Sequence, residues 1–193
     1  MQEISYIGLD ISTAIIGICF LDINGNLVKL DNINLKKIKS IFRKSEIVKH
    51  RLIEYKNNLK FTNKLKISIE EAFQSFSSGF SSAKTLSQLN RFNGIVSYLV
   101  YDIFNIEPLY INVNSARKNL QIKIDRKSKS STKEQIFQWV KNNINEEFIW
   151  PEKVLKSGPN KGRVKFDESC YDMSDAFVIC KALIFNEESN NKW

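Results

Sequence analysis

Four carboxylates stand out because each lies where a predicted strand ends or where a predicted helix begins. Asp10 follows the apolar run "YIGL", and Glu70 ends the alternating stretch "KLKISIE". Asp172 and Asp175 are three residues apart in the closing segment "CYDMSDAFVICKAL", so they share one face of a predicted helix. A charged Asp beside buried apolar residues is costly unless something pairs with it, and the partner is usually a cation. The pattern therefore directs the search to a cation-binding site.

Such a site forms if the strands that carry Asp10 and Glu70 are neighbours, because the last helix can then lay its two aspartates across them. Converging carboxylates repel one another strongly unless divalent cations lie between them. Ligand sets made only of oxygen favour Mg²⁺ or Mn²⁺ over zinc. Two such ions about 4 Å apart can activate a water and stabilise the leaving oxygen of a phosphodiester.

Each carboxylate also has a purely structural explanation. "DIST", which begins at Asp10, is a good turn sequence. The aspartates of the last helix are ordinary favourable charges at a helix N-terminus. Glu70 can be the exposed end of a strand, and its neighbour Glu71 can be the residue that points inward. It is less probable that all four structural explanations hold at once than that the four carboxylates form one shared site.

Composition limits the class of protein. The formal charge of +8 and the pI of about 9.3 suit a polyanionic partner, although a Lys-rich proteome gives the same excess. The three cysteines lack CxxC spacing and are odd in number, which argues against a secreted disulfide framework. With a single histidine, His50, a zinc site is not expected, and nothing signals a cysteine nucleophile. No segment approaches membrane-span length, so we expect an intracellular protein without a membrane partner.

The elements that must position the carboxylates follow from periodicity. The expected order is β-β-β-α-β-α-β-α-α, in one mixed α/β domain over residues 1–193. An Asn-Gly pair at Asn24 predicts a hairpin between the second and third strands, which makes the N-terminal strands a meander. Long helices are predicted from Ser40 to Leu59 and from Ser82 to Phe104. The second of these is apolar on more than one face.

Helix boundaries and loops are predicted for the second half of the chain. "NSARKNL" reads as a short helix with Asn114 or Ser115 as N-cap, and "STKE" predicts a capping box at the next helix. Residues 151–168 have the Pro, Gly and Lys content of a long exposed loop or flexible hairpin. The end, "NEESNNKW", is expected to fray.

Taken together, these segments resemble the RuvC group of Holliday-junction resolvases in the RNase H-like nuclease superfamily. The resemblance covers nearly the whole chain in the family order, and the Ile-Glu-x-x-Phe segment with its downstream helix is its most specific part. The matching segments are "IGLDISTAIIGICFLD", "ISIEEAFQSFSSGFSSAKTLSQLNRFNG", "NSARKNLQIKI…SSTKEQIFQWV" and "YDMSDAFVICKAL".

The resemblance implies an RNase H-like α/β fold, with a mixed five-stranded sheet, an antiparallel N-terminal meander and helices on both faces. It implies that Asp10, Glu70, Asp172 and Asp175 bind two Mg²⁺ ions per active site, with Mn²⁺ able to substitute. The implied activity is resolution of four-way DNA junctions by paired symmetric nicks. Members of the family act as homodimers, which would explain the second apolar face of the long helix.

Further positions match the family. Phe73 corresponds to an aromatic that inserts among bases at the junction centre, although packing into the core would explain it equally well. Lys133 corresponds to a lysine near the scissile phosphate, where a cation offsets developing negative charge; an ordinary solvated lysine is the alternative. The remaining basic residues are expected to contact DNA phosphates. These residues are Arg117, Lys118, Lys123, Arg126, Lys127, Lys129, Lys161 and Arg163.

The chain departs from the family pattern in two ways, and several alternative functions are considered for it. The basic segment at 151–168 is longer than in bacterial members, and "DISTAIIG" lacks their Gly-rich form, so cleavage-sequence preference does not carry over. The Lys- and Asn-rich chain is reminiscent of phage or organellar members. Alternative functions are a nuclease for a wider range of branched DNA, an RNA–DNA hybrid nuclease, and a catalytically inactive junction-binding protein. An actin-like ATPase would need a second lobe and Gly-rich adenosine motifs, which this chain lacks.

Overall fold

A mixed sheet of five strands forms the centre of the protein. The structure is a computed structural model that describes residues 2–71, 83–144 and 147–190, the side chains as far as residue 186. The strands are β1 (Ile4–Ile11), β2 (Ile15–Leu21), β3 (Leu27–Asn34), β4 (Phe61–Glu70) and β5 (Leu109–Ile111), and their order in the sheet is β3-β2-β1-β4-β5. β1, β2 and β3 form an antiparallel meander, whereas β4 pairs parallel to β1 and β5 parallel to β4. The predicted fold class is confirmed.

Five helices cover both faces of this sheet. They are α1 (Ile41–Asn58), α2 (Ala83–Phe104), α3 (Val113–Asn119), α4 (Thr132–Asn143) and α5 (Ser169–Asn190). On one face, α1 and α2 bury apolar residues of the sheet, with Phe20 and Phe92 fully enclosed. On the other face, α5 packs along β1 and β2 and is itself flanked by α3 and α4. The strands are therefore buried on both sides, which explains why β1 and β2 are almost continuously apolar.

Local signals set several of the boundaries. The Asp22 carboxylate accepts hydrogen bonds from the backbone N–H groups of Asn24 and Asn26, and Gly25 takes a φ of 77° in the predicted hairpin turn. At the start of α4, the predicted capping box is present, with Ser131 and Glu134 bonding each other's backbone N–H groups.

One boundary prediction was wrong. The N-cap of α3 is Asn112, whose side chain accepts from the backbone N–H groups of the next turn, so the helix begins earlier than the predicted caps at Asn114 or Ser115. Residues 151–168, predicted as a long exposed loop or flexible hairpin, contain the strands β6 (Glu152–Val154) and β7 (Val164–Phe166), which pair as a hairpin and which the predicted element order omitted. Helix α5 is helical through Asn190, and fraying of the C-terminus stays a prediction.

Two glycines let α5 approach the sheet. A Cβ at Gly8 would lie 2.5 Å from the carbonyl oxygen of Ala176, and a Cβ at Gly17 would lie 2.0 Å from that of Asp172. Side chains at these positions would collide with backbone atoms, which cannot yield as a flexible side chain can. Since Gly17 is the cross-strand partner of Asp10, the same close approach brings the first turns of α5 over the end of β1.

Candidate active site

The first pair of carboxylates meets because two parallel strands end together. Leu9 of β1 is the partner of Ile69 of β4, so Asp10 and Glu70 follow side by side at the same edge of the sheet. Their side chains are close enough to share a hydrogen bond. Two carboxyl groups share a hydrogen bond only when one of them is protonated. Two ionised carboxylates at this distance need a cation between them.

The second pair comes from α5. Asp172 lies in its first turn and Asp175 one turn further on, and the contact at Gly17 holds this part of the helix against β2. The four carboxylates line one cleft of about 650 Å³. The cleft is completed by polar, basic and apolar residues from β1, β4, α2, α3 and α4. These are Ile11, Ser12, Glu71, Leu89, Asn93, Val113, Asn114, Arg117 and Lys133.

Burial perturbs all four carboxyl groups, and repulsion from neighbouring carboxylates adds to its effect on Asp10, Glu70 and Asp172. Burial raises the pKa of Asp10 well above its usual value, and the charges of Glu70, Asp175 and Asp172 raise it further. Burial also raises the pKa of Glu70 and of Asp175, against the opposing effect of nearby cations. For Asp172, burial raises the pKa to about 6, with the charge of Lys133 acting in the other direction. A group of buried acids whose pKa values all rise is typical of a functional site.

Arg117 is the main surprise. It was expected to contact DNA phosphates with the other basic residues, yet its Nη2 lies 3.4 Å from Oδ1 of Asp175 and the side chain is only 21% exposed. Its Nε is buried and has no hydrogen-bond partner among the described residues. The packing of α3 explains this position. With Val113 and Ala116 buried, Asn114 and Arg117 share the face that looks into the cleft.

Lys133 is the second cation of the cleft. It is an exposed residue in the first turn of α4, where the capping box of Ser131 and Glu134 fixes the backbone. Its charge lowers the pKa of Asp172 and of Glu70, so it lies within electrostatic reach of both. The cleft thus combines buried acids with cations on the side of α3 and α4.

The two adjacent glutamates differ in what they contact. Glu70 faces Asp10, whereas Glu71 accepts a hydrogen bond of 3.4 Å from Nδ2 of Asn112, the N-cap of α3. The backbone N–H of Glu71 also donates to the carbonyl oxygen of Ile111, which continues the pairing of β4 with β5. This arrangement favours Glu70 over Glu71 as the inner carboxylate.

The other basic residues expected to contact DNA do not line the cleft. Lys118, Lys123, Arg126, Lys127 and Lys129 are exposed along α3 and the connection to α4, and Lys161 and Arg163 are exposed in the β6–β7 hairpin. Phe73 lies outside the described residues.

The donor chemistry of the cleft fits a hard divalent cation. All four ligand candidates are carboxylates, and a cation placed among them would offset the repulsion that raises their pKa values. Within residues 2–71, 83–144 and 147–190, however, no three acidic, Cys or His side chains already form a complete metal-binding group. The four side chains share a cleft and flank one another, without converging on a common point.

Three uncharged residues of the cleft were missed by sequence reasoning. Asn93 of α2 is a buried polar residue, 7% exposed, whose Oδ1 accepts a hydrogen bond from Ser97. Asn114 and Ser12 line the cleft from α3 and from the β1–β2 turn. The one available signal was Asn93 itself, a polar residue inside the apolar pattern of α2.

Comparison with known proteins identifies the fold. No family model and no curated protein matches the chain, but solved structures do. Thermus thermophilus RuvC in complex with a Holliday junction substrate superposes with a TM-score of 0.61 and 11% identity, over 95% of this chain and 94% of that one. The chain has the RuvC fold. A second Thermus thermophilus RuvC structure gives a TM-score of 0.58 at 11% identity, over 96% of both chains.

The chain also superposes on a mitochondrial protein. The yeast mitochondrial Holliday junction resolvase Ydc2 superposes with a TM-score of 0.56 and 16% identity, covering 100% of this chain and 83% of that one. The resemblance to this group of resolvases is thus confirmed at the level of fold. Among the described residues, no helix is both long and apolar enough to cross a membrane.

Proposed function

We propose that the protein is a metal-dependent, structure-selective DNA endonuclease that resolves four-way junctions by paired symmetric nicks. The observation that carries this proposal is the cleft that Asp10, Glu70, Asp172 and Asp175 line together, at one end of a RuvC-type sheet. Four partly or fully buried carboxyl groups whose pKa values are raised by burial are costly for folding, and such a cost is expected where chemistry requires it.

The same carboxylates would hold two Mg²⁺ ions, with Mn²⁺ able to substitute. Such ions activate water and stabilise the leaving oxygen when a phosphodiester is hydrolysed. Asp10 and Glu70, fixed on neighbouring strands, keep one part of the ligand set rigid. Asp172 and Asp175 supply the other part from α5. Lys133 lies where a cation can offset negative charge on the scissile phosphate.

Arg117 has two roles in this proposal. Without DNA it compensates the charge of Asp175. With DNA present, its guanidinium offers further donors to a phosphate oxygen, since only part of its hydrogen-bonding capacity is used by Asp175. Lys118, Lys123, Arg126, Lys127 and Lys129 would contact the phosphate backbone beyond the cleft, and Phe73 would stack on a base at the junction centre.

Paired nicks need two active sites, so we propose a homodimer. The side chains of Tyr98 and Tyr101 on α2 are 63% and 49% exposed and three residues apart, which places them on one outward face. This face is available to a second copy of the chain.

The DNA substrate and three buried, unpaired cysteines both suit an intracellular setting.

The test is cleavage of a labelled, mobile four-way junction with Mg²⁺. Linear duplex, a three-way junction and an RNA–DNA hybrid serve as competing substrates, and Asp172→Asn serves as the inactive control. We expect symmetric paired nicks in the four-way junction that the variant does not make. Binding without cutting, in Mg²⁺ and in Mn²⁺, would instead indicate an inactive junction-binding protein. Cutting of the hybrid alone would indicate an RNase H-type activity, and equal cutting of both branched substrates a broader branched-DNA nuclease.

A further inference from the structure

Two segments outside the acidic cleft carry an unusual excess of positive charge. Residues 153–166 contain five basic residues and no acidic one, and so do residues 36–44. The first segment is most of the β6–β7 hairpin, and the second joins β3 to α1. We refer to the following residues as the basic band: Lys36, Lys37, Lys39, Lys153, Lys161, Arg163 and Lys165.

The hairpin gathers like charges on one face. In its antiparallel register Lys153 lies directly opposite Lys165, so both project from one face, and Arg163 follows on that face. Like charges directly opposite each other destabilise an antiparallel pair. Within the described part of the chain, Lys161, Arg163 and Lys165 are exposed and make no ion pair. An exposed, uncompensated row of cations of this kind suits a polyanion.

The hairpin is nevertheless held in place. Glu168 accepts a hydrogen bond of 2.8 Å from Lys36 and one of 2.9 Å from Lys153, which joins the β3–α1 connection to the base of the hairpin. These two lysines lower the pKa of Glu168 to about 2, so the bridge is present throughout the neutral range. At the tip, the backbone of Leu155 pairs with Arg163 and with Gly162. The backbone of the hairpin is therefore tied to the β3–α1 connection through Glu168, just before α5.

The basic band begins at the same end of the sheet as the acidic cleft. Lys36 follows β3, which ends beside the start of β2 and the end of β1. The hairpin itself packs on α4, where the ring of Phe166 lies 5.0 Å from that of Phe137. Lys133 lies in the first turn of α4, so the hairpin is a neighbour of the helix that brings this lysine to the cleft.

We infer that the basic band binds the phosphate backbone of a double-stranded arm of the DNA substrate. This inference rests on the proposed function and extends it, because it assigns a second DNA contact to a hairpin outside the cleft. The basic face of the hairpin presents Lys153, Arg163 and Lys165 together with Leu155, and it has no aromatic side chain. Binding of unpaired bases relies on aromatic stacking, whereas contact with duplex relies on cations that meet phosphates.

The test compares the double variant Arg163→Gln/Lys165→Gln with the matched control Lys60→Gln/Lys64→Gln. Both variants remove two exposed charges, but the control pair lies at the start of β4, at the opposite end of the sheet from Glu70. Affinity for a four-way junction with long arms is measured over a range of KCl concentrations in EDTA, so that binding is separated from cleavage. The same titrations are repeated with linear duplex and with single-stranded DNA.

For the hairpin variant we expect the plot of log affinity against log salt to become less steep by about 1.8, because each lost phosphate contact contributes about 0.9. This corresponds to an affinity for the junction and the duplex about 10- to 30-fold lower near physiological salt. The control variant should bind as the wild type does, and single-stranded binding should change little.

Failure of the inference is distinguishable from failure of the proposed function. If the wild type binds and cuts the junction while both double variants bind it equally well, the basic band has no role in binding. An equal loss for single-stranded DNA would overturn its assignment to a duplex arm. If the wild type binds none of these DNAs, the proposed function itself is wrong.

Discussion

Asp10 has the least favourable surroundings of the four acids. It ends a buried strand and lies beside three other carboxyl groups, and burial is the largest cause of its raised pKa. In the metal-free protein we therefore expect Asp10→Asn to increase the free energy of unfolding at pH 7 by about 1–3 kcal/mol, the usual range for relief of one uncompensated buried polar or charged group. Thermal unfolding in EDTA measures this gain.

The same variant should lose the response to metal. Mg²⁺ stabilises the wild type if it binds only the folded state, and Asp10→Asn removes one proposed ligand. In EDTA, the gain in the free energy of unfolding that Asp10→Asn gives over the wild type should also shrink towards pH 4. Asp10 is then protonated in the folded wild type and no longer repels its neighbours. If the variant is less stable than the wild type in EDTA at pH 7, the acids do not repel one another as described.

Arg117 allows a second prediction at the scale of single residues. Arg117→Gln leaves the charge of Asp175 without its 3.4 Å partner, and we expect a destabilisation of about 2 kcal/mol, typical for a hydrogen bond between charged groups. In Asp175→Asn the same substitution should cost much less, because no negative charge is left to compensate. Chemical denaturation of the four proteins in this cycle gives the coupling energy, and a coupling near zero would show that the ion pair contributes nothing in solution.

These residues also show where sequence reasoning succeeds and where it stops. The acids were predictable because each interrupts an apolar pattern at the end of an element, and a charge in that position needs an explanation. Arg117 was grouped with the residues expected to contact DNA phosphates because it stands in a run of basic and polar residues. Its orientation depends on which face of α3 packs inward, and the burial of Val113 and Ala116 is set by contacts with distant elements.

At the scale of elements, the close contact between β2 and α5 positions half of the ligand set. We expect Gly17→Ala to destabilise the protein by about 1–3 kcal/mol, as overpacking commonly does, because its Cβ would meet the backbone of Asp172. Cleavage of the four-way junction should fall more than stability does, since the displaced helix carries Asp172 and Asp175. Denaturant unfolding and a cleavage assay on the same preparations measure both effects.

Gly94 is a matched control for this experiment. It lies within α2, and a Cβ there would meet nothing within 4 Å. Gly94→Ala should therefore stabilise the protein by about 0.5–1 kcal/mol through helix propensity. It is a control for stability alone, since Gly94 lies four residues before Tyr98 and shares its face of α2. If Gly17→Ala is as stable as Gly94→Ala, the contact between β2 and α5 leaves room for a Cβ at position 17.

The elements differ in how far their sequences predict them. The apolar runs of β1 and β2, the periodicity of α1 and the capping box of α4 are strong local signals, and each of these elements was predicted at nearly its observed place. For residues 151–168 the sequence left a long loop and a flexible hairpin as alternatives, since β6 and β7 are each three residues long and mostly exposed, with no buried face to produce an alternating pattern. Their pairing and the Glu168 bridge depend on contacts between distant residues.

For the whole molecule, the sequence predicted the architecture because a meander followed by alternating helices and strands permits few topologies. It did not predict that Arg117 would join Lys133 in the cleft, because this follows from how α3 and α4 pack against α5. Two cations thus lie beside the carboxyl groups of the cleft. A nuclease for DNA benefits from such an arrangement, since the flanking cations offset repulsion between the acids and the incoming phosphates.

The final prediction concerns the proposed homodimer. Tyr98 and Tyr101 are large side chains on the outward face of α2, and a buried dimer contact there would not tolerate charge. We expect Tyr98→Glu/Tyr101→Glu to be monomeric by sedimentation and to lose simultaneous nicks on the two strands of a junction. Ile23→Glu is the control, because Ile23 is 59% exposed in the β2–β3 turn at the other end of the sheet. If both variants sediment as the wild type does, the dimer does not form through this face of α2, and the second active site must be brought to the junction by another surface.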